Sequence, residues 1–356
     1  MRLLALAEGP NHVCYRYRIE AFAAALAERG WTLVALPLAS HTLERRRQLR
    51  SCAAADVVIL QRKLLPLWQL RVLRKAARKL IYDFDDALFH RDSYSPKGPL
   101  SWTRLAHFWA TIYAADAVIG GNGFLRAEAS NYVAPENVHW IPTCVNPQLY
   151  RLAQHERRVS GVRLVWIGQR STLPGLKFAE PLLAAAAERL PDLELRVICN
   201  KYPDLAPIRV VPRPWSSATE AEEIAAADIG ISWLPDDPWS LGKCGLKVLQ
   251  YMAAGLPVVA NPVGMNREMV LHGQTGFLAE TRDEWAQAVA TLAADPALRA
   301  RMGAAGREMV ERHYSASRWA PRFAALVDSL GRSAGSTPEL PPAPRLLDAE
   351  AGEVAA

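Results

Sequence analysis

Two lysines and a glutamine stand at fixed spacing in a segment punctuated by glycines. It reads Lys243-Cys244-Gly245-Leu246-Lys247-Val248-Leu249-Gln250-Tyr251-Met252-Ala253-Ala254-Gly255, then Leu256-Pro257-Val258-Val259-Ala260. The apolar spacing predicts a helix from Lys243 that Gly255 stops and that feeds a buried strand. The loop before it, residues 235–242, and the loop after the strand, Asn261-Pro262-Val263-Gly264, are rich in turn formers. A helix N-terminus aimed between two such loops is a natural phosphate site. On one helix Lys243 and Lys247 lie a turn apart, so both face the same anion.

A second set of candidates is acidic. Tyr82-Asp83-Phe84-Asp85-Asp86 places three carboxylates at the end of an apolar strand. Three carboxylates in four residues at a strand end are more than solubility charge requires; the plainer alternative is helix capping and turn formation. A third set is basic. Arg16 and Arg18 follow Gly9-Pro10-Asn11-His12, and Arg62 lies in Gln61-Arg62-Lys63, again after strands. With Asn11, these arginines are candidates to meet an anionic acceptor, the alternative for each being a surface charge.

These residues need strand ends to hold them, and the sequence supplies them. Strands are expected at 3–7, 31–36, 56–60, 80–84 and 117–120, separated by helices at 16–29, 43–52, 63–79, 100–114 and 123–132. After a polar stretch at 146–161, read as a linker, strands are expected at 163–167, 193–199, 209–211, 228–233 and 257–260. Helices are expected at 176–189, 218–226, 243–255, 282–293, 296–312 and 317–330. Alternation of this kind implies parallel sheets with helices on both faces. In doubly wound sheets ligands bind at the carboxyl ends of strands.

The 243–255 segment and its strand resemble the donor-binding segment of family-4 glycosyltransferases, retaining enzymes of the GT-B architecture. The nearest variant has the form GKCxxKxLQYMAAGLPVVAxPVG. The resemblance implies an α/β fold of two doubly wound Rossmann-like domains facing a shared cleft. It implies an acceptor domain at 1–155, a nucleotide-sugar donor domain at 156–316 and a crossover helix at 317–330; residues 331–356, rich in Pro, Ala and Glu without apolar periodicity, read as a disordered tail. A UDP- or GDP-linked sugar would be held by Gly168, Arg170, Trp215, Lys243, Lys247, Gln250, Asn261 and Gly264. Asp85 and Asp86 would be catalytic, without metal or cofactor.

The chain also departs from the family pattern. Gln169 follows Gly168 where an arginine is usual, and Arg170 comes one place late. Gly175 stands about where a phosphate-binding lysine is expected, with Lys177 nearby. Gly242 replaces the first glutamate of the helix pattern and Gln250 the second, which leaves Asp236 or Asp237 as candidates for sugar contacts. The resemblance thus implies a glycosyltransferase acting on a glycan or lipid-linked hydroxyl. A GT-B epimerase or a catalytically degenerate donor-binding subunit is the alternative, and Asp83-Phe84-Asp85 has a rival reading as the metal-binding DxD of GT-A enzymes.

Composition bounds the rest. The 356 residues suit two ordinary domains. No apolar run approaches the ~18 residues of a membrane span, and the N-terminal apolar stretch is short for a signal peptide. The five cysteines are scattered without CxxC spacing, which argues for a reducing cytosol. Charge is lopsided: residues 1–160 hold 22 Lys+Arg against 13 Asp+Glu, and residues 161–356 hold 20 against 23. No nucleic-acid motif accompanies the basic half. An anionic membrane surface at the cytoplasmic face is the expected partner, approached by the arginine-rich 43–52 segment and the basic 62–79 segment.

Overall fold

Strands that are apolar along their whole length must be covered on both faces, and the chain solves this twice. The computed structural model describes residues 1–9, 11–156 and 161–332. The first sheet contains β1 (Arg2–Ala7), β2 (Thr32–Pro37), β3 (Val57–Gln61), β4 (Leu80–Phe84), β5 (Ala117–Gly120) and β6 (Val138–Trp140), in the order β2-β1-β3-β4-β5-β6. The second contains β7 (Arg163–Ile167), β8 (Glu194–Ile198), β9 (Arg209–Arg213), β10 (Ile229–Ser232), β11 (Val258–Ala260) and β12 (Gly276–Leu278), in the order β12-β11-β10-β7-β8-β9. Every pairing in both sheets is parallel. Strands β3 and β4, at the centre of the first sheet, are buried at every residue.

Several elements differ from the sequence expectation. β6 and β12 are three residues each, too short for a period to show. The helix expected at 176–189 is two, Leu173–Phe178 and Glu180–Arg189, with Pro181 in the first turn of the second. The stretch read as a linker is docked: Tyr150 is buried, and Ala153 N donates to Ala254 O at 2.8 Å. Residues 157–160 of that stretch lie outside the described residues.

The expected 63–79 helix is shorter, Leu67–Ala76, because Pro66 caps it. Its neighbourhood is also less basic than its own sequence. Lys63 pairs with Glu8, Arg74 and Lys79 with Asp116, and Arg78 with Asp56. The exposed cations that remain there are Arg71 and Lys75, beside Arg46, Arg47 and Arg50 of the helix Thr42–Ser51.

The last helix, Ala316–Gly331, packs on the first sheet. Phe323 meets Phe22 with ring centroids 4.7 Å apart, and Trp319 meets Trp140 at 5.1 Å. Asp328 accepts from Arg29 at 3.0 Å and also from the Trp31 indole. Each large side chain buried there contributes about 1.5–3 kcal/mol. Gly331 closes this helix and Arg332 donates to Asp328 at 3.1 Å, so neither belongs to a loose tail; the remainder, 333–356, lies outside the described residues.

Each sheet reverses its direction of growth once. The reversal falls between β1 and β3 in the first sheet and between β7 and β10 in the second. Ligand crevices open at such reversals, outside the strands' carboxyl ends. Residues 8–9, 11–12 and 62–63 border one crevice, and residues 168–172 and 233–237 the other.

Candidate active site in the interdomain cleft

The strand-end loops of the two sheets touch. Asn122, the cap of the helix Gly123–Ser130, donates its amide to Leu241 O at 2.9 Å and Lys243 O at 3.1 Å. A Cβ on Gly121 would stand 2.6 Å from Cys244 Sγ, and one on Gly242 2.4 Å from Ala87 N. The Ser93 hydroxyl donates to Asp237 at 3.1 Å, and Tyr94 stacks on Phe178 at 6.1 Å.

On the first domain's wall the charges are paired. Arg18, its side chain 1% exposed, donates through Nε to Asp83 at 3.0 Å and through Nη1 to Ile141 O at 3.2 Å. Buried and bidentate, it is not available to an acceptor, contrary to the sequence expectation. Arg62 has φ 57, a positive value found at no other non-glycine among the described residues. Its backbone N–H donates to Asp83 O at 2.8 Å, and its guanidinium pairs with Asp85 and, at 2.5 Å, with Asp86. Strain of this kind, held by several bonds, is common at functional sites.

Asp85 and Asp86 were expected to face a sugar, but both are bound to cations. Burial alone would raise the Asp85 carboxyl; Arg62 and Arg18 outweigh it and hold it at about 2. Lys243 crosses from the second domain to Asp86 at 2.8 Å and lies 5.1 Å from the centre of the Trp239 ring. Asp83 and Asp85 each accept from a different arginine, so the DxD pair is occupied by guanidinium. His12 accepts from Cys14 N at 3.3 Å, and burial with the Arg62 charge pushes its imidazole below the usual value. Asn11 is exposed at the rim.

The second domain's wall is different. Gly168 follows β7, and a Cβ there would meet the Trp166 ring at 2.4 Å and Thr172 Oγ1 at 2.7 Å. The same ring carries Lys247, whose Nζ lies 4.7 Å from its centroid. Trp166 therefore sets Gly168 and Lys247 side by side. Lys247 is half-buried, and no carboxylate pairs with it among the described residues. Burial, then the nearby Lys243, push its ammonium down to about 7. Lys243 does not share its helix: Gly245 takes φ 66 and the helix runs Leu246–Ala253, so the two lysines do not face one anion from adjacent turns. Arg170 is exposed in the short turn after Gly168.

Three further expectations are revised here. Asn261 is engaged on both sides of its amide, donating to Leu234 O at 2.6 Å and accepting from Leu234 N at 2.9 Å. It stitches two loops rather than facing a phosphate. Gly264, φ 51, has its Cβ position 3.0 Å from Ser240 O, so it permits loop packing. Asp237 caps the helix Pro238–Leu241, accepting from Ser240 N at 2.8 Å.

Gln250 and Trp215 are brought together by a residue that sequence reasoning missed. Glu220 accepts from Trp215 Nε1 at 2.8 Å, from the Tyr17 hydroxyl at 2.9 Å and from Arg16 at 2.8 Å. Gln250 donates to Tyr17 at 3.1 Å and to Tyr150 at 3.2 Å. Glu220 sits in a run of acids, Glu220, Glu222 and Glu223, which reads as a solvated helix start; only Trp215 nearby could have hinted otherwise.

Two facing Rossmann-like sheets with strand-end loops on one cleft define a protein of GT-B type. The chain is similar in fold to the sucrose-phosphate synthase of Thermosynechococcus elongatus, with TM-score 0.72, 17% identity and 94% of this chain and 100% of that one covered. It is also similar to Anabaena Alr3699/HepE in complex with UDP-glucose, with TM-score 0.66, 17% identity and coverage of 92% and 100%. Residues 238–309, in the second domain, match the family described as Glycosyl transferases group 1. A D-inositol 3-phosphate glycosyltransferase of Corynebacterium urealyticum is 30% identical over 222 residues, 56% of this chain and 50% of that protein. The chain thus spans about half the length of this relative.

Proposed function

We propose that the protein is a retaining glycosyltransferase that moves a sugar from a UDP- or GDP-linked donor to a hydroxyl of a glycan or lipid-linked acceptor. One observation carries this reading: Lys247 is a half-buried cation without a carboxylate, on the first turn of the helix Leu246–Ala253 and beside Gly168 at the reversal of the second sheet. An uncompensated buried charge is costly, and a diphosphate would remove that cost. As the glycosidic bond breaks, negative charge grows on the departing phosphate. Lys247, the helix N-terminus and Arg170 stabilise it.

In this reading Trp215 and Gln250 serve the nucleoside. Asp86 holds Lys243 over Trp239, at the sugar end of the site. The acceptor enters past Asn11, His12 and Arg62; a separate cavity of 160 Å³ on the same domain is lined by Glu8, Arg45 and Lys63 among others. No divalent metal is required in this scheme, so activity should survive EDTA. A lipid-linked acceptor would suit the exposed Leu67 and Trp68 beside Arg71, Lys75, Arg46, Arg47 and Arg50. Each cation near an anionic surface adds about 1 kcal/mol. Salt-dependent sedimentation with anionic but not neutral liposomes tests this part.

One feature favours a second reading, a donor-binding subunit without turnover. Gly242 occupies the place of the family's first glutamate, and the Ala87 backbone leaves no room there for a side chain. Calorimetry with UDP and GDP, followed by turnover with hydroxyl acceptors, separates the two. Binding without transfer supports the subunit, and absence of binding to either nucleotide removes both.

A further inference from the structure

Glu220 is a carboxylate with a side chain 4% exposed, and a buried carboxylate can only accept hydrogen bonds. That fixes the direction of every proton around it. The Tyr17 hydroxyl must donate to it, at 2.9 Å. With its proton committed, Tyr17 must accept from Gln250 Nε2, at 3.1 Å. Gln250 therefore presents its NH2 to the two tyrosines and keeps Oε1 as the atom without a protein partner among the described residues. The second carboxylate oxygen takes the Trp215 indole N–H at 2.8 Å and so fixes the plane of that ring. Arg16, from the first domain, closes the set from across the cleft at 2.8 Å.

We infer that Glu220 is a positioning residue for the nucleoside half of the donor site, orienting the Gln250 amide and the Trp215 ring toward ribose and base while tying them to the first domain through Arg16. The inference rests on the reading of Trp215 and Gln250 given under the proposed function. Replacing the carboxylate with an amide of the same size abolishes the fixed direction: the new side chain can donate or accept, Tyr17 can reverse, and Gln250 can flip.

The test uses probes that differ only in the nucleoside. Calorimetry is run with UDP, GDP and inorganic pyrophosphate on the full chain, its Glu220→Gln variant and its Tyr17→Phe variant, which breaks the relay one step away. The nucleotide bound by the unaltered protein should bind either variant about tenfold more weakly, the scale of one lost oriented hydrogen bond, with pyrophosphate changed less than about twofold. In turnover the donor KM should rise while kcat holds. Equal weakening of nucleotide and pyrophosphate would make Glu220 merely structural, and no weakening of either would remove its role. Failure of the donor-site reading shows separately, as unaltered protein that binds none of the three probes, and takes this inference with it.

Discussion

The two walls of the cleft carry similar numbers of candidate charges but treat them differently. On the first domain's side Arg18 is locked to Asp83, and Arg62 to Asp85 and Asp86. On the second domain's side Lys247 stands over an aromatic ring, with no acid paired to it among the described residues, and Arg170 projects into solvent. A paired buried charge is scaffold, because its partner already satisfies it. An unpaired one is a half-made interaction. In the proposed reading the first wall supplies shape and the second binds the anion.

The comparison can be broken most forcefully at Asp83. Asp83→Ala leaves the Arg18 guanidinium buried without its partner, which should cost about 3–5 kcal/mol of stability. Chemical denaturation would show it, and a loss below about 1 kcal/mol would mean that the wall is not built on this pair. Next comes Lys247→Met, which should weaken diphosphate binding at least tenfold, since a charge-assisted contact is worth about 1.5–3 kcal/mol, and should leave stability intact or improved. Unchanged affinity by calorimetry would place the anion elsewhere.

A third outcome concerns pH. Free Lys247 titrates at about 7, and a bound anion must raise that value. The binding contribution is then complete below the free value and declines as pH rises through the neutral range, by up to about tenfold per unit. Lys247→Arg, always charged, should bind without that decline. Parallel pH profiles for the two proteins would show that Lys247 does not meet the anion. The smallest effect belongs to Arg170. Exposed and free to move, it should contribute about 1 kcal/mol or less, so Arg170→Ala should weaken the nucleotide severalfold at most, less still in high salt.

How much of this was legible in the sequence follows from distance along the chain. The 243–260 segment announces itself because glycines, lysines and an apolar period lie within one α/β unit. The strands themselves follow from alternation, apart from β6 and β12, but their order in each sheet does not. The pairings of the first wall do not, because Arg18 finds Asp83 65 residues away and nothing local distinguishes Arg18 from a solvated arginine. Glu220 is the extreme case, since its partners Arg16 and Tyr17 lie 204 and 203 residues off. The helix start at Leu246 instead of Lys243 was a conformational matter: Gly245 adopts a left-handed turn there, and the pattern of apolar residues does not record it.

The helix Ala316–Gly331 has a consequence for the order in which the protein is made. Its Trp319, Phe323 and Val327 share one core with Leu3, Phe22 and Ile59. The first domain to leave the ribosome thus waits for nearly the last described residues before its core is complete, while the second domain's core, which ends with Met309, Val310 and Tyr314, has emerged just before them. Domains usually fold in the order of synthesis; here the second can consolidate before the first. Until then the face around Leu3 and Phe22 is uncovered. A chain stopped at residue 315 should accordingly lose the first domain's protection against proteolysis while the second persists.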